Sequence, residues 1–322
     1  MMKEEDLGYY DWLCISTNPL LAMQAAIEAS KGEKVLQLDT SGCYGGDPMI
    51  DVPKNLIIDR IPLLCFAKGP MIEGLRSSGA AEHVDFTPIE GIYFHYGGEE
   101  LRVPFTREDV FSSTSFTLLE KRRLMKLLKE NDLRSDKPFL EYLREVLGLS
   151  EKLALMIIHA VCLHPTEHTL SGSEGVRLCR RFAESSGVYG SSPLLYPAYG
   201  AREVVQAFSR VCAVHGGLQV LRASNIQIEC RKVTFSFDDC KYSASFGLLI
   251  QDDDGEKSIN VAKLITQESC PEQRLDIKHT EAGPIFELTL NSNSCCCPAA
   301  SSIVYRWYHA DSSSSIYGNV FN

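Results

Sequence analysis

Four histidine and cysteine side chains lie close together in the middle of the chain and are the first candidates for metal chemistry. They are His159, Cys162, His164 and His168. Imidazole nitrogens and thiolates are the usual ligands of zinc in proteins. Pro165 interrupts the helical face that would align these side chains, and no carboxylate follows in an order typical of a metal enzyme. The pattern therefore predicts no metal site.

A serine among small residues raises the possibility of nucleophilic catalysis. Residues 171–175 read Ser-Gly-Ser-Glu-Gly, whereas a nucleophile elbow reads G-x-S-x-G and follows a strand. The glycines stand at the wrong positions here, and no strand is predicted before the segment. The P-loop, the kinase motifs and the H-E-x-x-H zinc motif are also missing from the sequence. We therefore interpret the chain as a binding protein with no catalytic residue.

The first forty residues predict the strand, helix and strand that open a dinucleotide-binding fold. Apolar residues 11–16 predict one strand, Asn18-Pro19 begins a helix that runs to Ser30, and residues 34–39 predict the next strand. An acidic residue at the end of that second strand, here Asp39, is typical of such folds. The glycines of G-x-G-x-x-G are missing, because the turn reads Ser-Thr-Asn-Pro-Leu-Leu. These side chains crowd a pyrophosphate, so we expect the fold without a cofactor.

Composition narrows the class of protein further. With 322 residues, 44% of them hydrophobic and 23% charged, the chain is long and apolar enough for one large or two packed domains. Its 32 Lys+Arg against 42 Asp+Glu give a net charge of −10, which argues against nucleic acid as a partner. Neither a signal peptide nor an apolar stretch of membrane length is visible in the sequence. We expect a cytoplasmic protein.

The cysteines support that expectation. Nine of the 12 cysteines stand singly, the other three form the run Cys295–Cys297, and no CxxC pair occurs. This spacing predicts reduced thiols rather than a disulfide framework or a zinc ribbon. The run itself lies inside the chain and is no C-terminal prenylation box, so we interpret it as a loop.

Helical patterns occupy the middle of the chain, and strand patterns flank them. The predicted order is two short strands at 89–103 around Gly97-Gly98, helices at 116–182, a helix at 201–214 and strands at 218–249. An acidic turn at 252–255 and a frayed serine-rich tail from Ser312 follow. The order predicts a sheet that continues on both sides of a helical segment.

Several separated blocks of the sequence share a further pattern. They are residues 34–39 with Tyr44-Gly45-Gly46, Tyr189-Gly190 with residues 192–200, and Glu203, Gln206, Phe208, Arg210 and Gly216-Gly217. These blocks resemble the family of Rab GDP-dissociation inhibitors and Rab escort proteins. The resemblance implies an α/β fold: a flavin-monooxygenase-like, sheet-rich domain I of residues 1–110 and 190–322. It also implies an inserted all-helical domain II of residues 111–189.

Within this family the sequence is more similar to the escort branch, as the stretches 103–111 and 118–125 indicate. The resemblance implies that Phe111 and Arg122 contact the prenyltransferase heterodimer. From the residues alone, Phe111 equally fits core packing at a domain junction, and Arg122 equally fits a solvated helix face. An apolar anchor beside an arginine is the usual composition of an interface hot spot, which favours the contact.

The resemblance also implies a platform that binds the switch regions of a GDP-bound Rab GTPase. Its residues are Tyr44, Glu203, Gln206, Arg210 and Val220. A tyrosine supplies rigid amphipathic area, an arginine a planar fork, and a glutamate a partner for a basic group. As an alternative, Tyr44 is a turn residue, and the charged pair occupies neighbouring helical turns without touching any partner.

The implied function is that of a Rab escort protein. It binds GDP-bound Rab, presents it to the Rab geranylgeranyltransferase α/β heterodimer, and delivers the prenylated product through transient membrane contact. Apolar faces of the helical segment would shelter the geranylgeranyl lipid, because each buried methylene contributes about 0.8 kcal/mol. The candidates are Leu118, Leu127, Leu153, Met156, Ile157 and Val161. These residues equally fit a helix–helix core.

Two alternative functions remain at this point. One is a Rab GDP-dissociation inhibitor that extracts and recycles prenylated Rab, for which Phe111 would be dispensable. The other is a flavin-dependent oxidoreductase, against which the missing glycines of the cofactor turn argue.

Overall fold

The structure, a computed structural model, describes residues 4–46, 55–127, 137–251, 259–266, 268 and 270–309. The predicted acidic turn and the serine-rich tail lie outside the described residues. The chain divides into two compact units. The first comprises Met1–Arg60, Pro70–Asp85 and Pro197–Glu256, and the second Ile61–Gly69, Phe86–Tyr196 and Lys257–Asn322.

The strands and helices of both units follow one numbering in chain order. The strands are β1 (Glu4–Ile15), β2 (Val35–Leu38), β3 (Cys65–Phe66), β4 (Phe86–Pro88), β5 (Gly91–Tyr96), β6 (Glu99–Arg102), β7 (Leu194–Pro197), β8 (Leu218–Val220), β9 (Ser224–Glu229), β10 (Lys232–Phe237), β11 (Cys240–Gln251), β12 (Ile259–Thr266), β13 (Arg274–Thr280), β14 (Gly283–Leu290) and β15 (Ser302–His309). The helices are α1 (Pro19–Ser30), α2 (Pro70–Ser78), α3 (Arg107–Ser112), α4 (Leu118–Leu127), α5 (Phe139–Glu141), α6 (Glu151–Met156), α7 (Gly172–Ser185) and α8 (Ala201–Val214). Wider helical turns extend α5 over Tyr142–Val146 and α6 over Ile157–Val161.

A six-stranded sheet forms the first unit, in the order β8-β2-β1-β11-β10-β9. Its β8, β2, β1 and β11 run parallel, β10 pairs antiparallel with β11, and β9 pairs antiparallel with β10. Leu13 of β1 pairs with Leu36 of β2, which pairs with Leu218 of β8. Leu13, Leu36 and Leu38 form a buried core on one face of this sheet. The predicted strand, helix and strand at the start of the chain are confirmed.

Local chemistry explains where α1 begins. The Asn18 side chain accepts a hydrogen bond from the Leu21 amide at 2.8 Å, and Pro19 occupies the first helical position. Both features stabilise a helix start, because the first amides have no partner within the helix. The buried side of α1 consists largely of alanines, which allows α1 and α8 to pack closely.

The second unit combines a six-stranded sheet, β12-β15-β14-β13-β5-β6, with a three-stranded sheet, β3-β7-β4. The hairpin predicted around Gly97-Gly98 is the pair β5–β6. Trp307 is fully buried and stacks on Phe286, with ring centroids 5.6 Å apart. Helices α3 to α7 belong to this same unit, and a separate all-helical domain is not confirmed. In the part of the chain that the structure describes, no helix is both long and apolar enough to cross a membrane.

Three titratable side chains pack together in the second unit. The buried His159 ring stacks on His279 of β13 at 5.7 Å, and its Nε2 lies 3.3 Å from Oε2 of Glu167. The His159 side chain lowers the pKa of Glu167 to about 2. Burial, and second the neighbouring His159, lower the pKa of His279 below 6.5. The folded protein therefore resists protonation of His279.

We expect His279→Gln to reduce the loss of stability between about pH 7 and about pH 5. Because the pKa of His279 is lower in the folded than in the unfolded chain, the unfolded chain binds more protons as the pH falls through 6.5, and stability decreases. Glutamine does not titrate, so this contribution disappears. Urea unfolding at both pH values measures the effect. His215→Gln, which removes an exposed imidazole of the first unit, is the control. Equal pH dependence in all three proteins would contradict the assignment.

Candidate functional site

Thr17, in the turn between β1 and α1, is hydrogen-bonded to Asp39, which directly follows β2. Oδ2 of Asp39 accepts hydrogen bonds from the amide of Thr17 at 2.7 Å and from its hydroxyl, and Oδ1 accepts from the Ser41 amide at 2.7 Å. Thr17 and Asp39 are both buried. A dinucleotide needs a carboxylate that is free for the ribose and a backbone open to the pyrophosphate. The residues present here do not fit such a cofactor.

A cavity of about 310 Å³ opens in the first unit beside α8. Its lining includes four of the five residues predicted as the platform: Tyr44, Glu203, Gln206 and Arg210. The remaining lining residues are His83, Ala207, Ser209, Ala213 and Gln219. We refer to this site as the α8 cavity.

The spacing along α8 explains why three of the predicted platform residues lie together. Glu203, Gln206 and Arg210 are three and four residues apart, so they lie on one face of the helix. The opposite face buries Val204 and Phe208. The α8 cavity thus presents an acid, an amide and a guanidinium on a rigid element, a set suited to a polar protein surface.

Tyr44 completes the α8 cavity from the loop after β2. Its phenol donates a hydrogen bond to Oε1 of Gln219 at 3.2 Å. Burial raises the pKa of Tyr44 above 10.0. The phenol is therefore neutral at physiological pH and remains a hydrogen-bond donor.

Val220, the fifth predicted platform residue, does not line the α8 cavity. It packs against the core of the first unit, as does Leu218, and both belong to β8. Successive side chains of a strand point to opposite faces, so Gln219 between them faces the cavity. Gln219 and His83 also line the cavity, although the sequence did not predict them as site residues. The alternation of side chains along β8 could have indicated that Gln219 faces the cavity. No local sequence pattern indicates this for His83.

A distant carboxylate holds the start of α8. Asp59 is 3% exposed, and its two oxygens accept hydrogen bonds from the Ala201 amide at 3.0 and 2.9 Å. Gly200 precedes this amide with φ 87° and ψ 178°, a conformation essentially restricted to glycine. A Cβ at Gly200 would lie 2.8 Å from Oδ1 of Asp59. The Asp59 carboxylate and Gly200 together fix the start of α8, which carries three of the predicted platform residues.

We expect Gly200→Ala to lower the free energy of unfolding by about 3 kcal/mol, since it combines backbone strain with a steric clash. Gly216→Ala, at the other end of α8, is the matched control. Gly216 has φ 86° and open space around its Cβ position, so only strain applies and the loss should be about 1 kcal/mol. Urea denaturation measures both variants. Equal losses would show that the Asp59 contact does not constrain Gly200.

A second surface lies on α3 and α4 in the second unit. Phe111 is 61% exposed, Leu118 77% and Leu119 54%, and Arg122 is also exposed. The two helices are joined by a hydrogen bond from Nζ of Lys121 to the carbonyl oxygen of Phe111 at 2.7 Å. We refer to Phe111, Leu118, Leu119 and Arg122 as the α3–α4 surface. The core-packing alternative for Phe111 is wrong, because most of this side chain faces solvent.

The predicted lipid-binding residues divide between core and surface. Leu127, Leu153, Met156 and Ile157 are each at most 4% exposed and lie in the packed core. For these four, the structure agrees with the helix-core alternative, because neighbouring side chains already cover them. Val161 is half-buried, and Leu118 lies on the α3–α4 surface.

The histidines considered for metal binding have other partners. A ring nitrogen of His159 lies 2.7 Å from the His164 carbonyl oxygen, and one of His164 lies 2.6 Å from the Thr166 carbonyl oxygen. His168 is exposed. The sulfur of Cys162 contacts that of Cys179 at 3.5 Å, and all 12 cysteines are free thiols. These groups therefore form no common ligand set.

The fold is similar to that of two solved structures of different kinds. A Rab GDI from Plasmodium falciparum matches with a TM-score of 0.74 and 18% identity, over 98% of this chain and 85% of that one. An oxidoreductase from Methanosarcina mazei matches with a TM-score of 0.65 and 14% identity, over 93% and 79%. The predicted α/β fold class is confirmed. The chain thus shares its fold with a Rab GDI and with an oxidoreductase, and Thr17 and Asp39 are hydrogen-bonded to each other at its turn between β1 and α1.

Residues 2–235 match the family model described as GDP dissociation inhibitor. The chain belongs to this family, which confirms the resemblance found in its motifs. It is 31% identical over 202 residues to a Rab proteins geranylgeranyltransferase component A of Drosophila melanogaster, covering 59% of this chain and 39% of that one. It is 29% identical over 255 residues to Rab GDP dissociation inhibitor beta of Rattus norvegicus, covering 68% and 56%. The chain thus spans less than two thirds of each of these relatives.

Proposed function

We propose that this protein is a Rab escort protein. It binds GDP-bound Rab GTPase, presents it to the Rab geranylgeranyltransferase heterodimer, and takes no part in the chemistry itself. The observation that carries the proposal is the α3–α4 surface, where Phe111 is 61% exposed beside an exposed Arg122. An inhibitor that only retrieves Rab has no need of such a surface. The similarity to component A of the transferase supports the same conclusion.

The α8 cavity is the proposed Rab site. It presents the phenol of Tyr44 together with an amide, a carboxylate and a guanidinium from α8 in one cavity. Such a mixture binds a protein surface that presents backbone groups and charges of both signs, as the switch regions of a GTPase do. Tyr44 and Arg210 are of the residue types that dominate interface energies.

The α3–α4 surface is the proposed transferase site. Large exposed apolar side chains that lie together mark interaction surfaces, because water covers them at a cost of about 25 cal/mol per Å². Arg122 and Lys126 are exposed on the same helix, so the patch has a basic border. The partner should therefore carry an apolar recess with an acidic rim.

Geranylgeranyl lipid is the proposed third ligand, and the helices of the second unit are its proposed site. Among the predicted lipid-binding residues that lie outside the α3–α4 surface, Val161 is half-buried and therefore partly accessible to a lipid. Leu127, Leu153, Met156 and Ile157 would contact the lipid only if the helices move apart, since they are buried. In this proposal the protein works in the cytosol and touches membranes transiently when it delivers the prenylated Rab.

Reconstituted geranylgeranylation tests the proposal. GDP-bound Rab, geranylgeranyl diphosphate and the transferase heterodimer are incubated with and without this protein, and lipid incorporation into Rab is measured. An escort protein makes incorporation depend on its presence. If incorporation is the same without it, the escort function is excluded.

A Rab GDP-dissociation inhibitor is the second candidate, favoured by the similarity to rat inhibitor beta. Both candidates use the α8 cavity for Rab. Extraction of prenylated Rab from vesicles, without any support of prenylation, would identify the inhibitor. A flavin-dependent oxidoreductase is not proposed, because the Thr17–Asp39 contact occupies the cofactor turn.

A further inference from the structure

We propose that the turn which holds a dinucleotide in the oxidoreductase scaffold serves here to position Tyr44. Thr17, Asp39 and Gln37 are positioning residues for the tyrosine of the α8 cavity. The inference rests on the proposed Rab-binding function of that cavity. Two hydrogen-bonded chains carry it, one to the backbone beside Tyr44 and one to its phenol.

The first chain starts at the carboxylate of Asp39. The Thr17 hydroxyl donates its hydrogen bond to Oδ2 of Asp39 and accepts one from the amide of Gly45 at 2.9 Å. Gly45 follows Tyr44 directly in the sequence. Thr17 is 1% exposed and Asp39 7%, so water does not compete for these groups. The acid that would bind a ribose thus fixes the peptide next to Tyr44.

The second chain starts at the phenol. Tyr44 donates to Oε1 of Gln219 at 3.2 Å, and Nε2 of Gln219 donates to Oε1 of Gln37 at 3.1 Å. Nε2 of Gln37 then donates to the carbonyl oxygen of Ser16 at 2.9 Å. Gln37 is 1% exposed. This chain therefore ends on the same turn, one residue before Thr17.

The backbone beside Tyr44 and the phenol of Tyr44 are both linked by hydrogen bonds to the turn between β1 and α1. Buried amides and carboxylates are costly unless they are hydrogen-bonded, so the network favours the single loop conformation that satisfies all of its members. A side chain that is fixed before binding loses less rotamer freedom when the partner arrives. The turn thus prepares Tyr44 for binding.

Thr17→Val tests the first chain, because valine keeps the shape but removes the hydroxyl. Thr17→Ser retains the hydroxyl and is the matched control. We expect Thr17→Val to weaken binding of GDP-bound Rab about tenfold, and Thr17→Ser to stay within about twofold of the wild type. Titration calorimetry measures the affinities. In a Tyr44→Ala background, Thr17→Val should change the affinity by no more than about twofold, since the residue it positions is gone.

Amide exchange provides a readout that does not depend on Rab. The Gly45 amide should exchange about tenfold faster in Thr17→Val than in the wild type, while the amides of β2 keep their protection and show that the fold is intact. An unchanged Gly45 amide would overturn the inference. So would an equal effect of Thr17→Val on affinity with and without Tyr44. Failure of the wild type to bind Rab would instead overturn the proposed function.

Discussion

Phe111→Ala is expected to weaken binding to the Rab geranylgeranyltransferase heterodimer by about 30-fold or more. The side chain is 61% exposed, so it contributes little to the core and is available to a partner. Aromatic anchors that become buried at the centre of an interface account for about 2 kcal/mol or more of binding energy. The free energy of unfolding should stay within about 0.5 kcal/mol of the wild type.

Calorimetric titration of the transferase with each protein measures this effect. Leu264→Ala is the matched control, because Leu264 is 59% exposed in β12 of the same unit and outside the α3–α4 surface. It should bind the transferase like the wild type. If both variants bind equally well, the α3–α4 surface is not the contact. Phe111→Ala should also retain its affinity for GDP-bound Rab, since the α8 cavity is unchanged.

Arg210→Ala is expected to lower the affinity for GDP-bound Rab by about 30-fold. The guanidinium lines the α8 cavity from an exposed position on α8. Its planar fork can hold a carboxylate or two carbonyl oxygens at once, which the ammonium of lysine cannot do. We therefore expect Arg210→Lys to recover only part of the loss. Because Arg210 is exposed, stability should change little.

The same titration with Lys241→Ala separates a local contact from a general charge effect. Lys241 is an exposed cation on β11 of the first unit and does not line the α8 cavity. Its loss changes the net charge by the same amount as Arg210→Ala. An equal decrease in affinity in both variants would mean that long-range electrostatics, and not the α8 cavity, attracts the Rab.

Patterns between near neighbours determined much of the fold from the sequence alone. Asn18-Pro19 marked the start of α1, alternation marked the hairpin β5–β6, and the spacing of apolar residues marked α8. The face shared by Glu203, Gln206 and Arg210 also follows from helical spacing. Such features depend on residues three or four positions apart, so the sequence contains them directly. The missing glycines likewise indicated a turn unsuited to a dinucleotide.

Tertiary packing alone decided which of the candidate residues are accessible. An amphipathic helix has the same sequence pattern whether its apolar face packs against another helix or binds a ligand. For both Phe111 and Leu153 the sequence left core packing as one alternative, the other being a transferase contact for Phe111 and a lipid contact for Leu153. Packing exposed the first and buried the second. Long-range contacts could not be predicted from the sequence either. The Asp59 carboxylate, for example, accepts a hydrogen bond from the Ala201 amide, 142 positions away in the chain. Which distant segments meet depends on how whole elements pack, and no local spacing encodes it.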